Sequence, residues 1–441
     1  MNISYNNICR IALPVLFSMM VEQLIGITDT AFLGHIGEVE LGASAIAGVF
    51  YLILFVTGSG FGVGLQILIA RLNGEKNLRE IPSIFSTGIY FLMLIAFVIV
   101  GSVRFFMPDI LGWFIKSPDI HSAAVQYLNW RIFGLFFSFT IVAFRAFYVG
   151  TVNTRILTFC STIMVLVNIV CNYIFIFGKF GVPAMGIAGA GLGSTIAEAS
   201  AAILFIIYYK SKRHEGHFAS ITEFRLHAQN IARIFNLSTW TMAQAFLSLS
   251  SWLYFFVAIE HIGTEQLAVA NIVRSLSSIP FMLTMAFTST GSSLVSNLIG
   301  EGESKEMIFR LCRKVLIISA TFCAPLLIFG AVFPRLALSI YTDNGTLINA
   351  AVVTFYVMLT SYIISIPSSV YYSALAGTGQ TFLSFKIEVA ALIVYVLFVT
   401  IAARFTSSIA ILWLSEHIYA SILFILSFRM IHKASWLHKK I

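Results

Sequence analysis

Long apolar stretches alternate with short polar ones along this chain, and within each stretch the apolar residues are continuous. They fall at about 11–34, 45–70, 83–107, 121–143, 150–177, 185–209, 231–259, 266–298, 312–338, 350–371, 378–402 and 407–430. Each supplies or exceeds the roughly 20 residues that a helix needs to cross the hydrocarbon of a bilayer. A transmembrane barrel would need residue-by-residue alternation, so helices are the remaining way to satisfy a backbone in lipid. The pattern predicts an all-α membrane protein with 12 transmembrane helices. Arg10 ahead of the first run raises the idea of a cleaved leader, but no small-x-small site follows and the run continues through Pro14 to Asp29. The first helix is expected to be retained.

The polar punctuation repeats. LGHIGEVELGASAIA (33–47) resembles IEHIGTEQLAVANIV (259–273), with His35 answering His261 and Gly37 answering Gly263. NGEKNLRE (73–80) answers IGEGESKE (299–306) at the same offset. YVGTVNTRI (148–156) answers LAGTGQTFL (375–383), Gly150 against Gly377, at an offset longer by a single position. Three stretches in one order at nearly one offset mark two homologous halves. With six spans each, both halves start on the same side, so the repeats are parallel and a pseudo-twofold axis along the membrane normal is expected between two six-helix bundles. The expected domains are an N-terminal lobe over 1–209, a basic linker over 210–230, a C-terminal lobe over 231–430 and a tail over 431–441. His214 and His217 in the linker are read as part of a solvated loop.

Composition agrees with the bilayer: 59% of the 441 residues are hydrophobic, 10% are charged, and mean hydropathy is +0.91. The net charge of +8 matters through its placement. Arg71, Lys76 and Arg79, then Lys210, Lys212, Arg213, Arg225 and Arg233, then Lys305, Arg310, Arg313 and Lys314, and finally Arg429, Lys433, Lys439 and Lys440 occupy alternate polar segments. By the positive-inside rule both termini are expected in the cytoplasm, and the charge is no nucleic-acid surface. The five cysteines show no CxxC spacing and predict no disulfide framework.

A few polar groups sit where lipid should be. The stretch VEQLIGITDTAFLGHIG (21–37) carries Glu22 and Asp29, and a carboxylate at a bilayer centre costs roughly 2.5–3.5 kcal/mol on insertion scales. Asp29 is therefore a candidate functional group. The two acids are almost two helical turns apart, so they share a side of the helix. Two readings of Glu22 stand: a second protonatable or cation-attracting acid, or a carboxyl kept neutral by burial; the same two apply to Glu198. Asn168 and Asn172 are four apart and face one side of span 5, either as site ligands or as interhelical glue. Glu388 and Lys386 are read as packing or snorkelling groups; Arg145 and Arg155, which flank the GTVNT turn, are read either as stabilising a cytoplasmic gate or as snorkelling. Arg274 lies deeper. Pro14 removes one backbone hydrogen bond from span 1 and permits a kink.

The ordered set ALPVLF…ITDTAFLGHIG, the LNGE and LIGE turns, FRAFYVGTVNTR, and NIVCNYIFIFGKFGVPAMGIAGAGLGST resembles the multidrug and toxic compound extrusion (MATE) transporters, over nearly the whole chain. The resemblance leans to the DinF-like branch, since spans 7 and 10 lack the mid-span acids of the NorM-type branch. It implies that Asp29, Asn168, Asn172 and Ser194 meet as a cation or proton coupling site. Their carboxylate, amide and hydroxyl oxygens suit Na⁺ or a proton on Asp29, although Asn172 stands where many relatives carry Asp. It also implies that span 1 bends at Pro14 when the acid changes charge.

Together these features predict a secondary antiporter of the inner (plasma) membrane, driven by H⁺ or Na⁺, without other cofactors or metals. It would export small amphipathic, mostly cationic drugs or metabolites by alternating access, working among membrane lipids as a monomer. A flippase for lipid-linked precursors is the alternative; it would want several deep cations for pyrophosphate, and only Arg131 and Arg274 qualify. A membrane enzyme would need a convergent His, Asp or metal cluster, and no HExxH-type spacing is present. The Gly-rich GSGFGVG (58–64) lacks the lysine of a phosphate loop.

Overall fold

With no water to satisfy N–H and C=O groups in hydrocarbon, apolar runs close their hydrogen bonds internally, and the computed structural model describes an all-α protein. It describes residues 3–212 and 228–433, apart from the side chains of Phe114 and Ala228. The expected linker over 210–230, with His214 and His217, lies mostly outside the described residues, as does the end of the tail over 431–441.

The first half contains α1 (Tyr5–Gly34), α2 (Glu38–Gly74), α3 (Ile81–Phe114), α4 (Pro118–Arg131), α5 (Gly134–Gly150), α6 (Arg155–Phe177) and α7 (Ile187–Ser211). The second contains α8 (Ala228–Glu260), α9 (Thr264–Gly300), α10 (Lys305–Val332), α11 (Pro334–Ser339), α12 (Gly345–Gly377), α13 (Thr381–Phe405) and α14 (Ile409–Lys433). Among the described residues eleven helices are long and apolar enough to cross a membrane, and α4 with α5 makes a twelfth span.

Two expected spans are broken. The run at 121–143 becomes α4 and α5, which meet at 50°. The chain tightens there: Leu135 N–H donates to the Ile132 carbonyl and Phe136 N–H to that of Phe133, each bond shorter in sequence than an α-helical one. The run at 312–338 stops at Val332, because Pro334 disfavours helical backbone at Phe333 (φ −123°, ψ 56°) and then opens α11. Conversely, α1 runs unbroken through Pro14.

The chain divides into two compact units, Phe17–Met242 and Met1–Leu16 with Ala243–Ile441. Their borders are offset from the repeat: the start of α1 belongs to the second unit and the start of α8 to the first. The reason for the latter is the glycine-rich stretch of α2. A Cβ on Gly60 would stand 2.7 Å from Met242 Cα, and one on Gly64 2.7 Å from Ser238 Cα. The Ser238 and Thr241 hydroxyls donate to the carbonyls of Phe61 (3.1 Å) and Gly60 (2.7 Å). GSGFGVG is thus a close helix–helix contact of the small-residue type found in membranes.

Candidate functional site

Helix α1 carries Ser18, Glu22 and Asp29 on one side, because at about 3.6 residues per turn these positions fall within about 40° of each other. Helix α6 carries Ser161, Asn168 and Asn172 at matching intervals. The Ser18 and Ser161 hydroxyls meet at 2.6 Å, and the Asn172 amide nitrogen donates to Asp29 Oδ1 at 2.5 Å. The two pairs have the same separation in sequence, so the two helices run parallel and stay in register between them. Ile25, on the same side of α1, packs against Met164, Ala197 and Ala201.

Asp29 is held by neutral donors. Besides Asn172, the Asn168 amide nitrogen donates to Oδ1 at 3.2 Å, and the Ser194 hydroxyl of α7 donates to Oδ2 at 2.8 Å. Asn168 also donates to Ser194 Oγ (3.1 Å), and Asn172 to Asn168 Oδ1 (3.3 Å). Asn168 and Asn172 are fully buried and Ser194 nearly so. The structure thus brings Asp29, Asn168, Asn172 and Ser194 together. No lysine or arginine pairs with Asp29 among the described residues. One acceptor in the cluster, Asn172 Oδ1, is buried without a donor among the described residues. It is wedged against α7, where a Cβ on Gly193 would come within 2.4 Å of it.

The other two acids are paired with arginines, which the sequence did not reveal. Glu22 forms an ion pair with Arg145 of α5 and accepts from Ser18 (3.1 Å) and Ser161 (3.2 Å). Glu198 receives both arms of Arg131, at 2.6 and 2.7 Å, while that guanidinium lies 3.8 Å from the centre of the Tyr51 ring. Arg131 ends α4, so the break between α4 and α5 is what delivers it. Each acid is ion-paired where it stands, and Arg145, for which gate and snorkelling readings were open, is the partner of Glu22. Both pairs join helices far apart in sequence, so no local spacing could have found them.

In the second half, Glu388 is 1% exposed, which fits the packing one of its two readings, whereas Lys386 is exposed beside Phe382. Arg274 lies against the faces of Trp252 (4.9 Å) and Phe256 (5.3 Å). No cluster of three or more His, Cys, Asp or Glu side chains suited to a metal occurs among the described residues.

The amides that face Asp29 present nitrogen, and only Ser194 presents a hydroxyl. A hard cation such as Na⁺ wants converging oxygens, so it would require both amides to turn over. The three donors as they stand satisfy a carboxylate.

Comparison with known proteins agrees with this architecture. The family model described as MatE matches residues 14–174 and again 241–401, one match in each half. A probable multidrug resistance protein NorM from Mannheimia succiniciproducens is 26% identical over 302 residues, covering 68% of this chain and 64% of that protein, so the match spans slightly less than two thirds of the relative. The multidrug resistance protein NorM of Vibrio cholerae serotype O1 is 24% identical over 347 residues, 78% of this chain and 76% of that one. Among solved structures, the outward-facing conformation of a multidrug resistance MATE family transporter of the MOP superfamily superposes with a TM-score of 0.90. It covers 99% of this chain and 97% of that one at 14% identity, a likeness of fold. The two-fold match to the family model covers most of the sequence, and the chain belongs to the MatE family.

Proposed function

We propose that this protein is a proton-driven antiporter that exports small amphipathic, mostly cationic compounds across the inner membrane, with both termini in the cytoplasm. The observation that carries the proposal is Asp29: a carboxyl in a membrane helix, held by Asn168, Asn172 and Ser194 and paired with no cation among the described residues. Three polar positions and Ile25 attach this side of α1 to α6 and α7. As a carboxylate, Asp29 accepts all three donors. A proton on it removes one accepting site and adds a donor, so α1 loses part of its hold. Asn172 Oδ1, which lacks a donor, is the acceptor a protonated Asp29 would call for, reached by turning the amide over.

Ion occupancy thereby biases two positions of α1, and a ligand shifts such an equilibrium only by its differential affinity for the two states. Protonation from outside favours the state that releases substrate; deprotonation inside restores the state that binds it. Asn168, Asn172 and Ser194 position the carboxyl, and Pro14, inside α1 without its backbone N–H, lowers the cost of bending the helix. Substrate cations are recognised by shape and charge, with the protein acting as a monomer. The flippase alternative is weakened, because Arg131 is already spent on Glu198.

The test is dye-cation efflux from proteoliposomes under a proton step and then a sodium step. Wild type should answer the proton step, and Asp29→Asn should fall to the level of empty liposomes. Efflux by the variant at the wild-type rate would remove Asp29 from the mechanism, and a response to sodium alone would replace the proton by Na⁺.

A further inference from the structure

The second half contains a buried acid of its own, in a place the repeat makes recognisable. The offset that pairs His35 with His261 carries Glu22 onto Ser248 of α8, and the one that pairs Gly150 with Gly377 carries Ser161 onto Glu388 of α13. In the first half Ser161 donates to Glu22; in the second Ser248 donates to Glu388 Oε1 at 2.6 Å. The contact is the same and the acid has changed helices. Its surroundings have changed too. Tyr372, which stands in the place of Arg145, lies beside the Glu388 carboxyl and donates to the Ser384 carbonyl at 3.3 Å. From α14, Tyr419 donates to Glu388 Oε1 at 2.6 Å.

We infer that Glu388 is a second proton-binding site, in the C-terminal half, whose charge state sets how α8 docks on α13. Both hydroxyl bonds end on Oε1, and Oε2 is buried with no partner among the described residues. No arginine or lysine pairs with it among those residues either. An ionised carboxyl with one bare oxygen at 1% exposure would carry a large uncompensated cost. One turn before Ser248 on α8, Gln244 Oε1 is also buried and also lacks a donor among the described residues. A proton on Oε2 removes the bare charge from that buried oxygen. Gln244, Ser248, Tyr372 and Tyr419 are all half-buried, so the carboxyl sits one layer below a polar rim through which a proton can pass. Loss of that proton leaves Oε2 charged and bare, which draws water in along α8 and loosens its seat on α13.

Other ionisable groups nearby are accounted for. Glu416 on α14 accepts from Tyr395 at 3.4 Å, His417 Nε2 meets the Thr360 hydroxyl at 3.1 Å, and Lys386 on α13 is exposed beside Phe382. The inference rests on packing within the second compact unit and stands apart from the antiport proposal. A protein that moved no dye yet titrated Glu388 would remove the one and keep the other.

The test is infrared difference spectroscopy of the full-length protein in nanodiscs during a pH titration. A protonated-carboxyl band that disappears at high pH should be lost in Glu388→Gln and retained in Asp29→Asn and Glu416→Gln. If Glu388→Gln does not fold, Glu388→Asp should keep the band at a shifted frequency. A spectrum of Glu388→Gln identical to wild type would overturn the inference. So would an unshifted band in Glu388→Asp, or removal of the band by sodium at constant pH, which would make the site one for Na⁺.

Discussion

The two halves treat equivalent positions in opposite ways. In the first, Glu22, Arg145, Ser18 and Ser161 form a closed set in which acid and guanidinium neutralise each other. In the second, Ser248, Tyr372, Gln244 and Glu388 occupy the corresponding places, the acid has moved to the other helix, and the arginine has become a tyrosine. Asp29 has no counterpart either: the repeat puts Phe255 in its place, packed edge-on against Trp413 with ring centres 5.4 Å apart. The scaffold tolerates an acid on either helix of the parallel pair. What differs is whether a guanidinium or only neutral donors stand beside it. A guanidinium sets a permanent charge beside the carboxylate, whereas hydroxyls and amides carry none.

The largest expected effect comes from removing a fixed cation where the acid is most enclosed. In Arg131→Met the Glu198 carboxylate, 13% exposed, would lose both charged hydrogen bonds. Breaking one side of such a buried pair costs about 3–5 kcal/mol. The variant should unfold at markedly lower denaturant or temperature in detergent, and Arg131→Met with Glu198→Leu should recover most of the loss. An unchanged unfolding midpoint in the single variant would mean that the pair contributes no net stability.

A smaller effect is expected beside Asp29. A methyl group on Gly193 would meet Asn172 Oδ1 at 2.4 Å and Asn172 N at 3.3 Å, so Gly193→Ala must push α7 away from α6 or turn the amide from Asp29. Overpacking of this kind costs about 1–3 kcal/mol. Because the displaced group contacts the carboxyl, the pH at which efflux is half-maximal should move as well. Destabilisation with an unaltered pH profile would show that Asn172 packs the helices without sensing the charge on Asp29.

The fold was legible in the sequence because lipid demands long uninterrupted apolar helices, and the repeat was legible because its turns at Gly37 and Gly263 are retained. Asp29, Asn168 and Asn172 stood out because amides and acids are expensive in hydrocarbon; Ser194, an ordinary hydroxyl, was reached only through the family resemblance. The arginine partners were hidden: Arg131 depends on a 50° bend between α4 and α5 inside what reads as one span, and Arg145 lies on a helix whose sequence gives no hint of its facing α1. The partners of Glu388 were hidden too, because they come from α8 and α14 while its neighbour Lys386 points only to its own helix.

The smallest effect tests the comparison most directly, by making the first half resemble the second. Glu22→Ser with Ser161→Glu moves the acid from α1 to α6 and leaves Arg145 in place to receive it. Glu22→Ser alone strands Arg145, which is 24% exposed and so screened in part, at a cost of about 1 kcal/mol. Ser161→Glu alone places two carboxyls against one guanidinium in a crowded spot, since Ser161 already touches Ser18 at 2.6 Å. The double variant should be more stable than the sum of the two single losses by about 0.5–1 kcal/mol, within the coupling measured for residues in contact. Strict additivity in a double-mutant cycle would mean that the exchange seen between the halves also required the change from Arg145 to Tyr372. The acid would then be tied to its counter-charge and not to the helix pair.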